Sequence, residues 1–142
     1  MNQSVTITRN EKDNLTGWKK LSGQPVRGDI ANEIVIEELT SWKNVVMHDH
    51  APGRVEFSFN NKYLGHLHNP PGAIAKADIV LPKKFRDRLV EAGRVQNHIT
   101  DKYGKTKWAT VKMRTTYDIM FVIKLFRLMY EHTAKKNIYA VQ

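Results

Sequence analysis

The sequence predicts an α+β fold: a single domain whose antiparallel sheet of five or six strands carries an N-terminal helix, a short middle helix and a long buried C-terminal helix. Three observations lead there. Apolar residues switch along the chain between helical spacing and strict alternation. Clusters of Pro, Gly and Asn separate the alternating runs. The resulting order is helix, several strands joined by tight breaks, helix, hairpin, helix, which is the pattern of segregated helices and strands. A length of 142 residues suits one domain. That domain is expected over 28–136, between a loosely ordered arm at 1–27 and a tail at 137–142.

The elements follow in order. Residues 1–27 are polar, hold Gly17, Gly23 and Pro25, and keep no period. Ala31, Ile34, Val35, Leu39 and Trp42 then fall at helical spacing behind Asp29, a plausible cap, and predict a helix over about 30–42. Lys43 to Phe59 reads as two strands broken at Ala51-Pro52-Gly53. Asn60-Asn61 tolerates positive φ and suits a hairpin turn, so Lys62 to His68 is the return strand. After the break Asn69-Pro70-Pro71-Gly72, Ala73 to Leu81 is the next strand. Pro82 opens a short helix with Phe85, Leu89 and Ala92 as its buried stripe, and Gly93 stops it. Residues 97–113 form a second hairpin turning near Tyr103-Gly104. Thr115 and Asp118 make a capping box for the last helix, which runs to about Lys135 with one narrow polar stripe. Trp42, Tyr63, Trp108 and Phe121 are read as core.

Composition excludes several classes of function. With no cysteine there is no disulfide scaffold, thiol chemistry or thiolate zinc site, and a reducing, cytoplasmic setting is expected. The first residues lack the apolar run of a secretory signal, and no stretch has the length of a membrane span. The net charge is +9, unevenly spread. Between 82 and 114 there are ten basic residues and only three acidic ones. Lys83, Lys84, Arg88, Lys102, Lys105 and Lys107, with Tyr103 for stacking, are therefore the candidates for contact with nucleic acid or phosphate.

Four histidines come in two pairs, His48-Asp49-His50 and His66-Leu67-His68. Residues i and i+2 of a strand share a face, so either pair presents two imidazoles to one point. Asp78 on the following strand adds a carboxylate, which makes His66, His68 and Asp78 a candidate divalent-metal set. The hairpin register decides their surroundings. A two-residue Asn60-Asn61 loop puts His66 opposite Val55, on the apolar side. A three-residue loop puts the histidines beside Arg54, Glu56 and Ser58. No nucleophile elbow, phosphate loop or dinucleotide fingerprint is present.

Several segments together carry a resemblance. They are Arg54-Val-Glu-Phe57, Leu64-Gly-His-Leu-His68, Ala77-Asp-Ile-Val-Leu-Pro82, Arg86-Asp-x-Leu89, Ala92-Gly-Arg94, His98, Trp108-Ala-Thr-Val111, Leu125-Phe-Arg-Leu128 and Tyr130. Spanning about residues 30–132, this set resembles the luciferase-domain family of small bacterial and fungal proteins. A shorter likeness, in the Trp-x-x-Val strand and the apolar helix ending in Tyr, is to YjbR-like α+β proteins. The family resemblance implies His66, His68, Asp78, Arg86, His98 and Trp108 as the positions of a ligand site. It implies neither light emission nor a particular substrate. The chain departs from the family at Asn69-Pro70-Pro71, Asn97 and Thr106-Lys107, all on loops that would shape a pocket.

Three functions are compatible with these residues. The foremost is a small binding module that holds a small-molecule or anionic ligand in a polar His/Asp pocket. The others are a nucleic-acid or phosphate binder using the 82–114 block, and a metal-dependent enzyme at the His/Asp cluster.

Overall fold

The computed structural model describes residues 23–68, 74–97 and 107–141. Among them are three helices, α1 (Gly28–Thr40), α2 (Lys83–Glu91) and α3 (Thr116–Val141), and six strands. The strands are β1 (Val45–Ala51), β2 (Arg54–Phe59), β3 (Lys62–His68), β4 (Ala75–Val80), β5 (Gln96–Asn97) and β6 (Trp108–Met113). They form one antiparallel sheet in the order β1-β2-β3-β4-β6-β5. His98, Lys102, Tyr103 and Lys105, and with them the predicted turn of the second hairpin, lie outside the described residues.

α1 starts two residues earlier than its spacing suggests. Asp29 therefore sits inside the first turn, where its carboxylate suits the positive end of the helix dipole. Its Oδ1 accepts from the Ile30 backbone N–H. The other end closes when the backbone N–H groups of Ser41 and Trp42 donate to the Glu38 and Leu39 carbonyls. α3 begins as its capping box requires: the Thr115 backbone N–H donates to Asp118 Oδ2 at 3.0 Å, and the Asp118 N–H to Thr115 Oγ1. The helix continues to Val141, through the stretch read as a tail. Exposure on α3 goes beyond a narrow stripe and includes Tyr117 and Leu128. The arm joins the domain from at least Gln24 onward. Pro25 bridges to Thr115, and the Val26 N–H donates to the Arg114 carbonyl.

α2 buries a different residue from the one its apolar spacing indicates. Phe85 and Leu89 are half-buried and Ala92 is exposed, while Arg86 is 2% exposed. Arg86 Nε donates to the Trp108 carbonyl at 2.9 Å, and Nη1 to Asp87 Oδ1 at 2.8 Å. An arginine stem covers apolar surface as well as an aliphatic side chain does, provided its head is hydrogen-bonded. Here it ties α2 to β6.

One face of the sheet is the core. Phe57, Leu67, Ala77, Ile79, Ala109, Val111 and Met113 pack there against Ala31, Val35 and Leu39 of α1 and Ile119, Val122 and Phe126 of α3. Phe57 meets Phe126 edge to face, with ring centroids 5.7 Å apart. Trp42 belongs to the core as expected, beside Tyr130. Tyr63 and Trp108 do not: both lie on the other face, with centroids 5.5 Å apart. Alternation along β6 puts Trp108 there, and pairing with Ser58 across the β2–β3 hairpin puts Tyr63 there.

Candidate functional site

The register of the β2–β3 hairpin positions the site. Asn60 and Asn61 have φ of 50° and 66°, and Phe59 pairs with Lys62 across this two-residue turn. The ladder then shifts by one, from Ser58↔Tyr63 to Phe57↔Gly65, so Leu64 is the extra residue of a β-bulge. The short loop is kept, yet His66 ends opposite Glu56 and His68 opposite Arg54. The bulge produces the histidine placement that a longer loop would give.

Gly65 makes the next contact feasible. Its φ is +151°, and a Cβ there would collide with the Asp78 carbonyl oxygen and stand 2.9 Å from Phe126 Cε1. Only glycine lets β3 approach β4 this closely beneath α3. The result is His66 directly opposite Asp78.

Two rows of residues cross the face opposite the core. His48, Glu56, His66, Asp78, Thr110 and Gln96 stand neighbour to neighbour over all six strands. Beside them run Arg54, His68, Lys76 and Lys112 over four strands. Both rows except their outer members Glu56 and His48 line a cavity of about 500 Å³, completed by Asn97. Every described lining residue belongs to a strand. The volume is that of a small-molecule site.

The floor of this cavity is a connected polar group. His66 Nε2 and His68 Nε2 lie 2.9 and 2.8 Å from the same oxygen, Asp78 Oδ2. Thr110 Oγ1 donates to the other oxygen, Oδ1, at 2.5 Å. Behind His66, Tyr63 Oη is 2.6 Å from Nδ1 and donates to Glu56 Oε2 at 3.3 Å. His66, Asp78 and Thr110 are buried, and His68 is half-buried with 29% of its side chain exposed. Burial, reinforced by the Glu56 charge, pushes the Tyr63 hydroxyl up to about 12, so it remains a proton donor at any physiological pH. Burial also lowers His68 below the usual histidine value, although Asp78 pulls the other way. A neutral imidazole is the form that accepts a ligand.

The remaining predicted positions divide. Arg86 is buried under α2, outside the cavity lining. Trp108 also lies outside the lining but stacks obliquely beside His66, with centroids 5.2 Å apart. Lys83, Lys84 and Arg88 are exposed on α2, Lys83 paired to Asp87 at 2.8 Å, and Lys107 is exposed before β6. None of these four lines the cavity. Sequence reasoning missed Arg54, Lys76 and Lys112 as one row, and Thr110 and Tyr63 as partners of the floor. The alternating positions of β4 and β6 carry that signal once the register is known.

No helix among the described residues is long and apolar enough to cross a membrane. A family model described as Luciferase domain matches residues 61–129, from the turn before β3 into α3. No curated protein and no solved structure matches the chain.

Proposed function

We propose that the chain, whose residues 61–129 match the Luciferase-domain family model, is a small cytoplasmic binding module whose ligand is an anionic small molecule. The ligand lies on the face of the sheet opposite the core, over the two cross-strand rows. The observation that carries this reading is the basic row Arg54–His68–Lys76–Lys112 beside a buried polar floor. Lys76 and Lys112 are cations on adjacent strands, about 5 Å apart along the sheet, and repel one another unless an anion lies between them. The cavity walls lower the local dielectric and strengthen that attraction. The polar row supplies directional groups: Thr110, Gln96 and the histidine edges.

The test is a thermal-shift titration of the full chain with inorganic phosphate and with a small dicarboxylate, each over a range of salt. A hundredfold excess over Kd stabilises a protein by about 2.7 kcal/mol, which is readable as a rise in Tm. At least one anion should raise the Tm of the wild type and do so much less for Lys76→Ala/Lys112→Ala. Equal shifts in both proteins, or none in either, would refute the reading.

A further inference from the structure

The arrangement around Asp78 does more than complete a polar floor. Tyr63 Oη bridges Glu56 Oε2 at 3.3 Å and His66 Nδ1 at 2.6 Å, which holds the imidazole in one orientation. His66 Nε2 is thereby aimed at Asp78 Oδ2, 2.9 Å away. His68 Nε2 converges there too, and the three donor atoms lie within 4.8 Å of one another.

The outer partners have the same logic. In metal sites the second nitrogen of a ligating histidine and the second oxygen of a ligating carboxylate are held by hydrogen bonds, which fix tautomer and direction. His66 Nδ1 is held by Tyr63, which is itself held by Glu56, and Asp78 Oδ1 is held by Thr110. Each outer bond leaves the inner atom pointing at the common centre.

We propose that His66 Nε2, His68 Nε2 and Asp78 Oδ2 bind one divalent transition-metal ion, with the remaining coordination positions directed into the cavity. Two imidazoles and one carboxylate suit zinc, cobalt, nickel or iron(II), and without thiolate they disfavour copper(I). The inference rests on the reading of this face as the ligand side, and it deepens that reading. The basic row Arg54–Lys76–Lys112 would be a poor neighbour for a bare cation, but it suits an anionic ligand that also reaches the metal. The proposal thus accounts for a carboxylate and two imidazoles lying at the bottom of a basic cavity.

The experiment is a calorimetric titration of the chelator-treated full chain with Co2+ and Zn2+, without added anion. One ion per chain is expected. The affinity should fall at least tenfold in His68→Ala and in Asp78→Asn, and roughly 10–100-fold in Thr110→Val and Tyr63→Phe, which touch only the outer bonds. His48→Ala, on the same row but exposed, should bind as the wild type does. Side-chain nitrogen resonances of the wild-type histidines give a readout that needs no variant. Zn2+ at one equivalent should move the Nε2 signals of His66 and His68 and leave that of His48 in place. No binding at millimolar Co2+, binding unchanged in both ligand variants, or movement of other histidines would overturn the proposal. Phosphate stabilisation measured in chelator separates the two readings. If it persists while no metal binds, the metal site alone fails. If metal binds and phosphate has no effect, the anion reading alone fails.

Discussion

The two faces of the sheet are built from the same strands by the same alternation, and they differ in what closes them. On the covered face, Phe57, Gly65, Ile79 and Ala109 meet helices α1 and α3, and close packing sets every choice of side chain. On the other face their neighbours Glu56, His66, Asp78 and Thr110 form a hydrogen-bonded row, and the last three of them line a cavity. The comparison teaches that a polar residue can be fully buried here without belonging to the core. His66 is 3% exposed, Asp78 likewise, and both are surrounded by polar partners instead of methyl groups. A sheet face that buries polar groups in an ordered row, beside a row of cations, is organised for a ligand.

Breaking the covered face should have the largest consequence. Gly65→Ala drives a Cβ into the Asp78 backbone and against Phe126, so the loss of stability should exceed about 3 kcal/mol. Denaturant unfolding would measure it, and a change within experimental error would show that the β3–β4 approach is not as tight as described. Phe126→Ala comes next. It opens a cavity between α3 and the sheet and should cost about 3–5 kcal/mol, yet the protein that remains folded should bind anions as the wild type does. Weakened anion binding in folded Phe126→Ala would mean that the two faces are coupled. Thr110→Val sharpens the comparison from the other side. It keeps the shape of a β-branched residue and removes the donor to a buried carboxylate, at about 1–3 kcal/mol. The same melting curves would show whether polar burial at the floor matters to stability as well as to binding.

Much of this was legible in the sequence. Alternation in Arg54 to Phe59 and the Asn60-Asn61 turn gave the hairpin, and Thr115 with Asp118 gave the start of α3. The spacing of His66 and His68, with Asp78 on the next strand, was enough to put three donors on one face. The bulge at Leu64 was not legible, because an extra residue in a ladder is decided by backbone pairing and leaves no composition signal. It nevertheless selects which face of the hairpin the histidines occupy. The resemblance implied Arg86 as a ligand position, whereas its bond to the Trp108 carbonyl explains its buried place under α2. Tyr63 and Trp108 looked like core because aromatic residues usually are. Their positions on β3 and β6 put them beside His66, where they wall the polar row.

The basic block and the basic row make opposite claims about where an anion binds, since Lys83, Lys84 and Arg88 on α2 line no part of the cavity. A backbone amide NMR titration of the full chain with inorganic phosphate at low salt decides between them. Ligand binding on the face opposite the core predicts that the shifted amides cluster at Arg54, His66 to His68, Lys76 and Lys112. Shifts confined to α2, or spread evenly over the surface lysines, would contradict it.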